Sequence, residues 1–374
     1  MKPRTKSAGL WLLAWRRLLA DRVAVVSMVV VGLFLVMMAA SGLNLIAAHW
    51  NEEVAVGYAP PAFLGAAKRA AAATVQHAGN EPNAYPGTVK DPLATEIAEL
   101  RAQIAGSATP AGPEGELSID GIKVVDPLAT EMAEILGSTK AVEEKRELAD
   151  ALPFGADKWG RDVVSKTIKG SETSIFVGLT AALVAVVIGT VLGAFAGYYG
   201  GKVDDFFNWF YSVFTAIPYM LLILAIAAVL NQRGVMAVVL ILGLTGWTGI
   251  YRLVRAEYLK HKSREYVQAA DAIGASNRRR MFVHIFPNIS HVSLVQLSVN
   301  TVGFIKSEVI LSFLGFGVPV DKVSWGSMLN EAQNELILGY WWQLVAATIA
   351  MALLVTAFSM FTDALRDALD PKIK

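Results

Sequence analysis

Six stretches of this chain stay apolar over about the 20 residues that a helix needs to cross a bilayer core. Residues 23–48, 173–201, 206–232 and 336–362 hold no Asp, Glu, Lys or Arg, 234–251 is shorter, and 285–305 runs up to Lys306. Each reads as a membrane-spanning helix. The pattern therefore predicts an all-α polytopic membrane protein with six transmembrane helices.

Composition points the same way. Hydrophobic residues make up 54% of the 374 and mean hydropathy is +0.46, more apolar mass than the core of a water-soluble domain needs. The net charge of +1 says little, because membrane proteins sort charge by side. Lys2, Arg4, Lys6, Arg16, Arg17 and Arg22 precede the first span. Arg252, Arg255, Lys260, Lys262, Arg264, Arg278, Arg279 and Arg280 fill the connection between the fourth and fifth. By the positive-inside rule both regions face the cytoplasm, and an even number of spans returns the C-terminus there. The first apolar run is too long for a cleaved secretory signal and reads as an uncleaved anchor. Just before it, residues 10–19 mix Leu and Trp with Arg16 and Arg17, which suits a helix in the cytoplasmic interface.

The organisation that follows is an interfacial helix at 1–22, a first span at 23–48 and an extracytoplasmic insertion at 49–155. A core of five spans at 156–365 holds a cytoplasmic loop at 252–288, and 366–374 form a cytoplasmic tail. The insertion is rich in Ala, Pro, Gly and Glu, and Asp-Pro-Leu-Ala-Thr-Glu at 91–96 returns at 126–131. Aspartate as cap, proline at the first helical position and an early glutamate predict a short helix in each copy. The insertion is either a docking surface for an external partner or a tolerated added loop.

Catalytic signatures are absent from the sequence. It holds no phosphate-cradling Gly-rich loop and no nucleophile elbow. Zero cysteines exclude disulfides and thiolate metal sites. His284 and His291 are seven apart, with no further ligands near them to complete a metal site. The chain is expected to be no enzyme and to bind no metal, cofactor or nucleic acid; membrane lipid surrounds it.

Three features inside the spans stand out. Ala181, Ala185, Gly189, Gly193, Gly197 and Gly201 recur every four residues, a small-residue groove that another helix can approach closely, either within the chain or at a seam with another subunit. Pro218 interrupts the third span and predicts a kink that frees a backbone carbonyl, plausible at a pore-lining position. Lys306 and Glu308 lie late in the fifth span, where a charge presented to lipid costs roughly 2.5–3.5 kcal/mol. Two apart on a helix, they cannot pair with each other. Both are candidates for the transport pathway, for pairing with a partner elsewhere, or for a place close enough to the outer interface to snorkel.

The cytoplasmic connection carries the most specific pattern. Glu265, Tyr266, Val267, Gln268, Ala269, Ala270 and Asp271 lead to Gly274 and, through Arg278 to Arg280, to His284, Ile285, Phe286 and Pro287. This resembles the cytoplasmic loop of binding-protein-dependent ABC importer permeases, Glu-Ala-Ala, three residues, Gly, nine residues, then Ile-x-Leu-Pro. Ala269, Ala270, Gly274 and Pro287 fall in register; Gln268 replaces the Glu, His284 the Ile and Phe286 the Leu. Leu152 to Asp157 with Gly160-Arg161-Asp162-Val163 is similar to the segment before the second span in the second permease subunit of dipeptide and oligopeptide importers. Ser312 to Gly317, Trp325 to Leu329 and Asp363 to Pro371 also resemble that branch. The long insertion and Lys306 depart from it.

The resemblance implies the type I ABC importer permease fold in the inner (plasma) membrane of a bacterial cell. It implies a heterodimer with a homologous permease, two cytoplasmic ATPase subunits that bind ATP and Mg, and an external substrate-binding protein. Residues 265–274 would be a coupling helix, with Ala269 and Ala270 seated in a groove of the ATPase and Gly274 ending the helix in a left-handed turn. Substrates would be di- or oligopeptides. Nickel or another non-peptide solute would suit the same architecture, and a self-sufficient secondary carrier with Lys306 and Glu308 in an ion path is the alternative outside the family.

Overall fold

The computed structural model describes residues 10–64, 116–119, 122–125, 148–230, 232, 234–319 and 321–369. The chain divides into two compact units, 1–63 with 151–374 and 64–150. Both copies of the Asp-Pro-Leu-Ala-Thr-Glu repeat lie outside the described residues. Within the second unit, strands β1 (Glu116–Ile119) and β2 (Ile122–Val125) pair antiparallel, with Ile119 opposite Ile122. Asp-Gly between two short runs carrying β-branched residues is the sequence signal for such a hairpin. This hairpin adds to the two short helices expected in the insertion.

The first unit is helical. α1 (Leu10–Ala20) is followed by α2 (Arg22–Gly42), and Asp21 between them accepts the Val23 N–H at 2.8 Å as N-cap. α2 stops six residues before the expected Ala48. No charge marks that end; instead Asn44 takes a left-handed φ of 56°, closing the helix as asparagine can, while the Leu45 N–H returns to the Ala39–Ala40 turn.

α3 (Val163–Tyr199) is the axis of the molecule, 37 residues or roughly 55 Å. Asp162 caps it by accepting from Val164 and Ser165, and two left-handed glycines, Gly200 and Gly201, turn the chain out of it. It begins ten residues before the expected Thr173 because the charges that cut the apolar window are paired: Lys169 bonds Glu172 at 2.8 Å, and Lys166 is buried in a network described below.

α4 (Gly201–Thr215) and α5 (Tyr219–Leu230) occupy the third apolar stretch but meet at 84°, so the predicted Pro218 kink is a full break. α6 (Val235–Thr245) and α7 (Thr248–Lys262) together form one candidate span, Val235–Lys262, which continues 11 residues past the expected end at Tyr251. Arg255 causes no exit there because its Nε and Nη2 donate to the two carboxylate oxygens of Asp204 in α4, at 2.5 and 2.6 Å. α8 (Glu265–Ala272) and α9 (Asn277–Arg279) follow, then a π-helical turn, Arg280–Ile285, leading into α10 (Phe286–Phe313). The fifth span thus carries Lys306 and Glu308 within it.

α11 (Trp325–Ile337) is a separate helix, and α12 (Trp342–Leu369) is the last span. The expected start of that span at Leu336 is corrected: Gly339, at φ +89°, ends α11 first. α12 also continues through the charged segment given above as a tail boundary at 366. Among the described residues, five helices are long and apolar enough to cross a membrane, and six if the broken α4–α5 pair counts as one span.

Three apolar clusters hold the bundle around α3. One joins α2, α3, α10, α11 and α12 through Phe34, Ile175, Ile305, Trp325 and Phe358; a second joins α3, α5, α6 and α10 through Ala181, Ile223, Leu242 and Phe304. The third, at the opposite end, centres on Tyr198, Val254, Tyr258, Met281 and Ile285. Leu18 and Ala24 pack with Ala368 and Leu369, so α1 and the start of α2 meet the end of α12.

Candidate functional site

The loop between α7 and α10 is built outward from the ends of the spans. Lys260, His261 and Lys262 occupy the last turn of α7, where cations suit the carbonyl end of a helix. The chain then reverses, and α8 runs for eight residues with Glu265 in its first turn. Gly274 ends it at φ +80°, while the N–H groups of Ile273, Gly274 and Ala275 return to Ala269, Asp271 and Ala270. Only a residue tolerant of positive φ closes the turn this way.

α8 has two faces. Val267 and Ala270 are buried, Val267 against Tyr258, Met281 and Ile285. Glu265, Tyr266, Gln268, Ala269 and Asp271 are exposed, and Ile273 stands 85% exposed beyond the helix end. The expectation that Ala269 and Ala270 both face a partner is therefore corrected for Ala270. An eight-residue helix lying on a bundle must bury one side, and residues three apart, such as 267 and 270, share it.

The loop is tied to the spans by polar contacts as well. The Tyr258 hydroxyl donates to the Met281 carbonyl at 3.2 Å, the Tyr198 hydroxyl donates to Asn277, and Arg280 pairs with Asp271 at 2.5 Å. Tyr266 and His261 bond at 2.7 Å. Pro287, exposed, sits in the first turn of α10, where its missing N–H costs nothing. These contacts join the loop to α3, α7 and α10.

Behind the loop, Gly189, Gly193 and Gly197 are filled by this chain's own α7. A Cβ on Gly189 would meet the Trp247 carbonyl at 2.6 Å, one on Gly193 the Tyr251 carbonyl at 2.7 Å, and one on Gly197 the Arg255 carbonyl at 2.6 Å. Of the two readings left open by the sequence, packing within the chain is the one observed for these three glycines. Gly201 has open space and instead starts α4.

Comparison with known proteins adds to this geometry. Residues 189–374, the stretch that contains the loop, match the model of the binding-protein-dependent transport system inner membrane component, and 9–61 match the N-terminal transmembrane domain of oligopeptide transport permease C. The dipeptide transport system permease protein DppC of Bacillus subtilis is 36% identical over 221 residues, 59% of this chain and 69% of that protein. The chain belongs to this permease family. The oligopeptide transport system permease protein OppC of Escherichia coli K12 is 37% identical over 219 residues, 59% of this chain and 72% of that one. A solved chain of the MetNI methionine ABC transporter, inward facing, shares 15% identity at a TM-score of 0.42 over 54% of this chain and 96% of its own, too little to carry an argument.

Within the permease core the two intramembrane charges separate. Glu308 is fully buried; Ser174 and Ser312 each donate a hydroxyl to it at 2.7 Å, and the same Ser174 oxygen accepts the Trp325 N–H at 3.2 Å. Glu308 therefore fastens α3, α10 and the start of α11. Lys306 is exposed on the other side of α10. Pro218, also exposed, lies at the α4–α5 break.

A second polar site went unnoticed in the sequence. Lys166, 1% exposed, donates to Asp157 at 2.7 Å, Glu331 at 2.6 Å and Gln343 at 3.1 Å. Asp157 in turn accepts the N–H groups of Trp159 and Arg161, and the Trp342 indole donates to the Ala156 carbonyl at 2.6 Å. The 152–163 motif is thus a clamp that joins α3, α11 and α12 at the end of the bundle where α3 begins. Glu335, four residues after Glu331 and 2% exposed, has neither carboxylate oxygen hydrogen-bonded. Burial first, then the nearby charges of Asp157 and Glu331, push it up to about 7 against the pull of Lys166. The signal available in the sequence is Lys166 itself, a lone cation seven residues ahead of the uncharged run that begins at Thr173.

Proposed function

We propose that this permease forms half of the translocation pathway of an ATP-driven importer of dipeptides or oligopeptides, and that α8 receives the motion of cytoplasmic ATPases. The observation that carries the coupling role is the division of α8: Val267 and Ala270 are set into the span ends, while Ala269 and Ile273 stand free. Small and apolar side chains at an exposed tip suit insertion into a partner's groove. The peptide substrate is supported by the two named relatives, which are dipeptide and oligopeptide permeases.

On this reading the partners are a homologous permease, two ATPases that bind ATP and Mg, and an external binding protein. Both termini are cytoplasmic. Support comes from the cations of the α7–α10 loop and from the meeting of α1 with the end of α12. Catalysis belongs to the partners.

The test is ATP hydrolysis by the assembled importer in liposomes, with and without peptide-loaded binding protein. Ala269→Trp, at an exposed position, should leave assembly intact and abolish both the stimulation and uptake. Unchanged stimulation would sink the coupling assignment.

A further inference from the structure

α2 and α12 are the least buried of the candidate spans, and they do not close fully against each other. Between them lies a cavity of 360 Å³, lined from Arg22 to Val30 on one side and from Leu353 to Met360 on the other. Its buried lining residues, Ser27 and Ala357, are small and form a floor, while Val26 and Leu353 stand 64% and 52% exposed as its rim. The Ser27 hydroxyl donates to the Ala24 carbonyl at 3.0 Å, so the groove presents an apolar surface.

A single cation stands at one end of it. Arg22 is the first residue of α2, and helix side chains tilt toward the N-terminus, so its guanidinium reaches out of the span toward headgroup level. It makes no hydrogen bond or ion pair with a described residue. Asp21 beside it accepts the Val23 N–H at 2.8 Å, and Asp21 and Asp367 line a separate cavity with Arg17. From Arg22 to Val30 the groove descends roughly 12 Å along α2, most of the depth of one leaflet, about 15 Å. Lipid or another subunit must fill it, and the charge favours lipid. A phospholipid carries its phosphate at the level where a span begins and an acyl chain that runs down beside it; a helix of another subunit would have to bring a carboxylate to that same edge.

We propose that the groove between α2 and α12 binds an anionic phospholipid, with an acyl chain against Ser27 and Ala357 and the phosphate on Arg22. A guanidinium suits phosphate because it donates two parallel hydrogen bonds. Around the mouth, Arg16, Arg17, Arg22 and Arg366 stand against Asp21, Asp363 and Asp367, so the patch is net positive and favours a headgroup of net negative charge over a zwitterionic one. The site is independent of the solute carried and does not rest on the peptide reading.

The full-length chain, purified from membranes with the subunits that accompany it, would be stripped of lipid in detergent and given phosphatidylglycerol or phosphatidylcholine, with bound lipid counted by native mass spectrometry. The unaltered protein should retain phosphatidylglycerol in preference. Arg22→Gln should lower that preference about fivefold, the effect of one basic residue at an anionic surface. Ala357→Leu, which fills the floor, should release both lipids, and Val26→Trp should do so from the exposed rim with the buried floor unchanged. Equal retention of the two lipids by the unaltered protein, a preference unchanged in Arg22→Gln, or lipid retained in full by both Ala357→Leu and Val26→Trp would overturn the proposal. So would loss of an accompanying subunit from Arg22→Gln or Val26→Trp, because the groove would then be a seam between subunits.

Discussion

The backbone of Gly193 in α3 lies against the Tyr251 carbonyl of α7 so closely that a methyl group on Gly193 would sit 2.7 Å from that oxygen and 3.0 Å from the Arg255 nitrogen. Both obstacles are backbone, so neither can swing aside. Gly193→Ala should therefore cost about 1–3 kcal/mol through overpacking. The expected result is a lower unfolding temperature in detergent, and Gly189→Ala and Gly197→Ala should do the same. Gly200→Ala and Gly201→Ala have open space but positive φ, and strain alone should cost less.

Ala270 and Ile273 should separate folding of the loop from docking. Ala270→Trp would force an indole into the bundle and lower thermal stability of the permease itself. Ile273→Asp changes a side chain that is 85% exposed at the end of α8. If the partner covers this side chain, its loss should weaken ATPase binding by about 2 kcal/mol, or roughly 30-fold in Kd, with stability unchanged. Pull-down of the ATPases by each variant is the measurement, and an undiminished interaction for Ile273→Asp would reject the docking face.

Lys166 holds together a site that is otherwise acidic. Lys166→Met would leave Asp157 and Glu331 without their cation beside Glu335, at a cost of about 3–5 kcal/mol. The double variant Lys166→Met with Asp157→Asn should regain part of that loss. Thermal unfolding of the two variants compares them directly.

Glu335 gives the clamp around Lys166 a pH dependence whose sign follows from its raised pKa. The native state holds the proton more tightly than the unfolded chain, from an ordinary 4.5 up to about 7. Its contribution is fully present below pH 4.5 and is lost as pH rises through 7. Glu335→Gln should flatten this window and stabilise the permease at pH 8 by about 2 kcal/mol, after allowance for solvent screening. Chemical unfolding at several pH values checks it; an unaltered slope between pH 5 and 7 would contradict the assignment.

Much of this molecule was legible in one dimension. Apolar runs longer than a bilayer is thick have few alternatives to spanning helices, because unpaired backbone groups are too costly in lipid. Their approximate positions, the break at Pro218 and the turn at Gly274 followed from residue type alone. So did the family, through the spacing from Ala269 to Pro287.

Tertiary structure decided where charges cease to count. A charge ends an apolar window when the sequence is read alone, yet Lys166, Glu172 and Arg255 lie inside long helices because Asp157, Lys169 and Asp204 neutralise them. Only folding reveals those partners, some of them distant in sequence. It also decided orientation: Ala269 and Ala270 are adjacent and alike, and Lys306 and Glu308 are both charged, but a helix rotates about 100° per residue and sets each pair on different sides. Composition can say that a residue is small or charged. Which neighbour it meets depends on packing, and that sets Ala270 into the bundle while Ala269 stays exposed, and leaves Lys306 without a hydrogen bond or ion pair among the described residues.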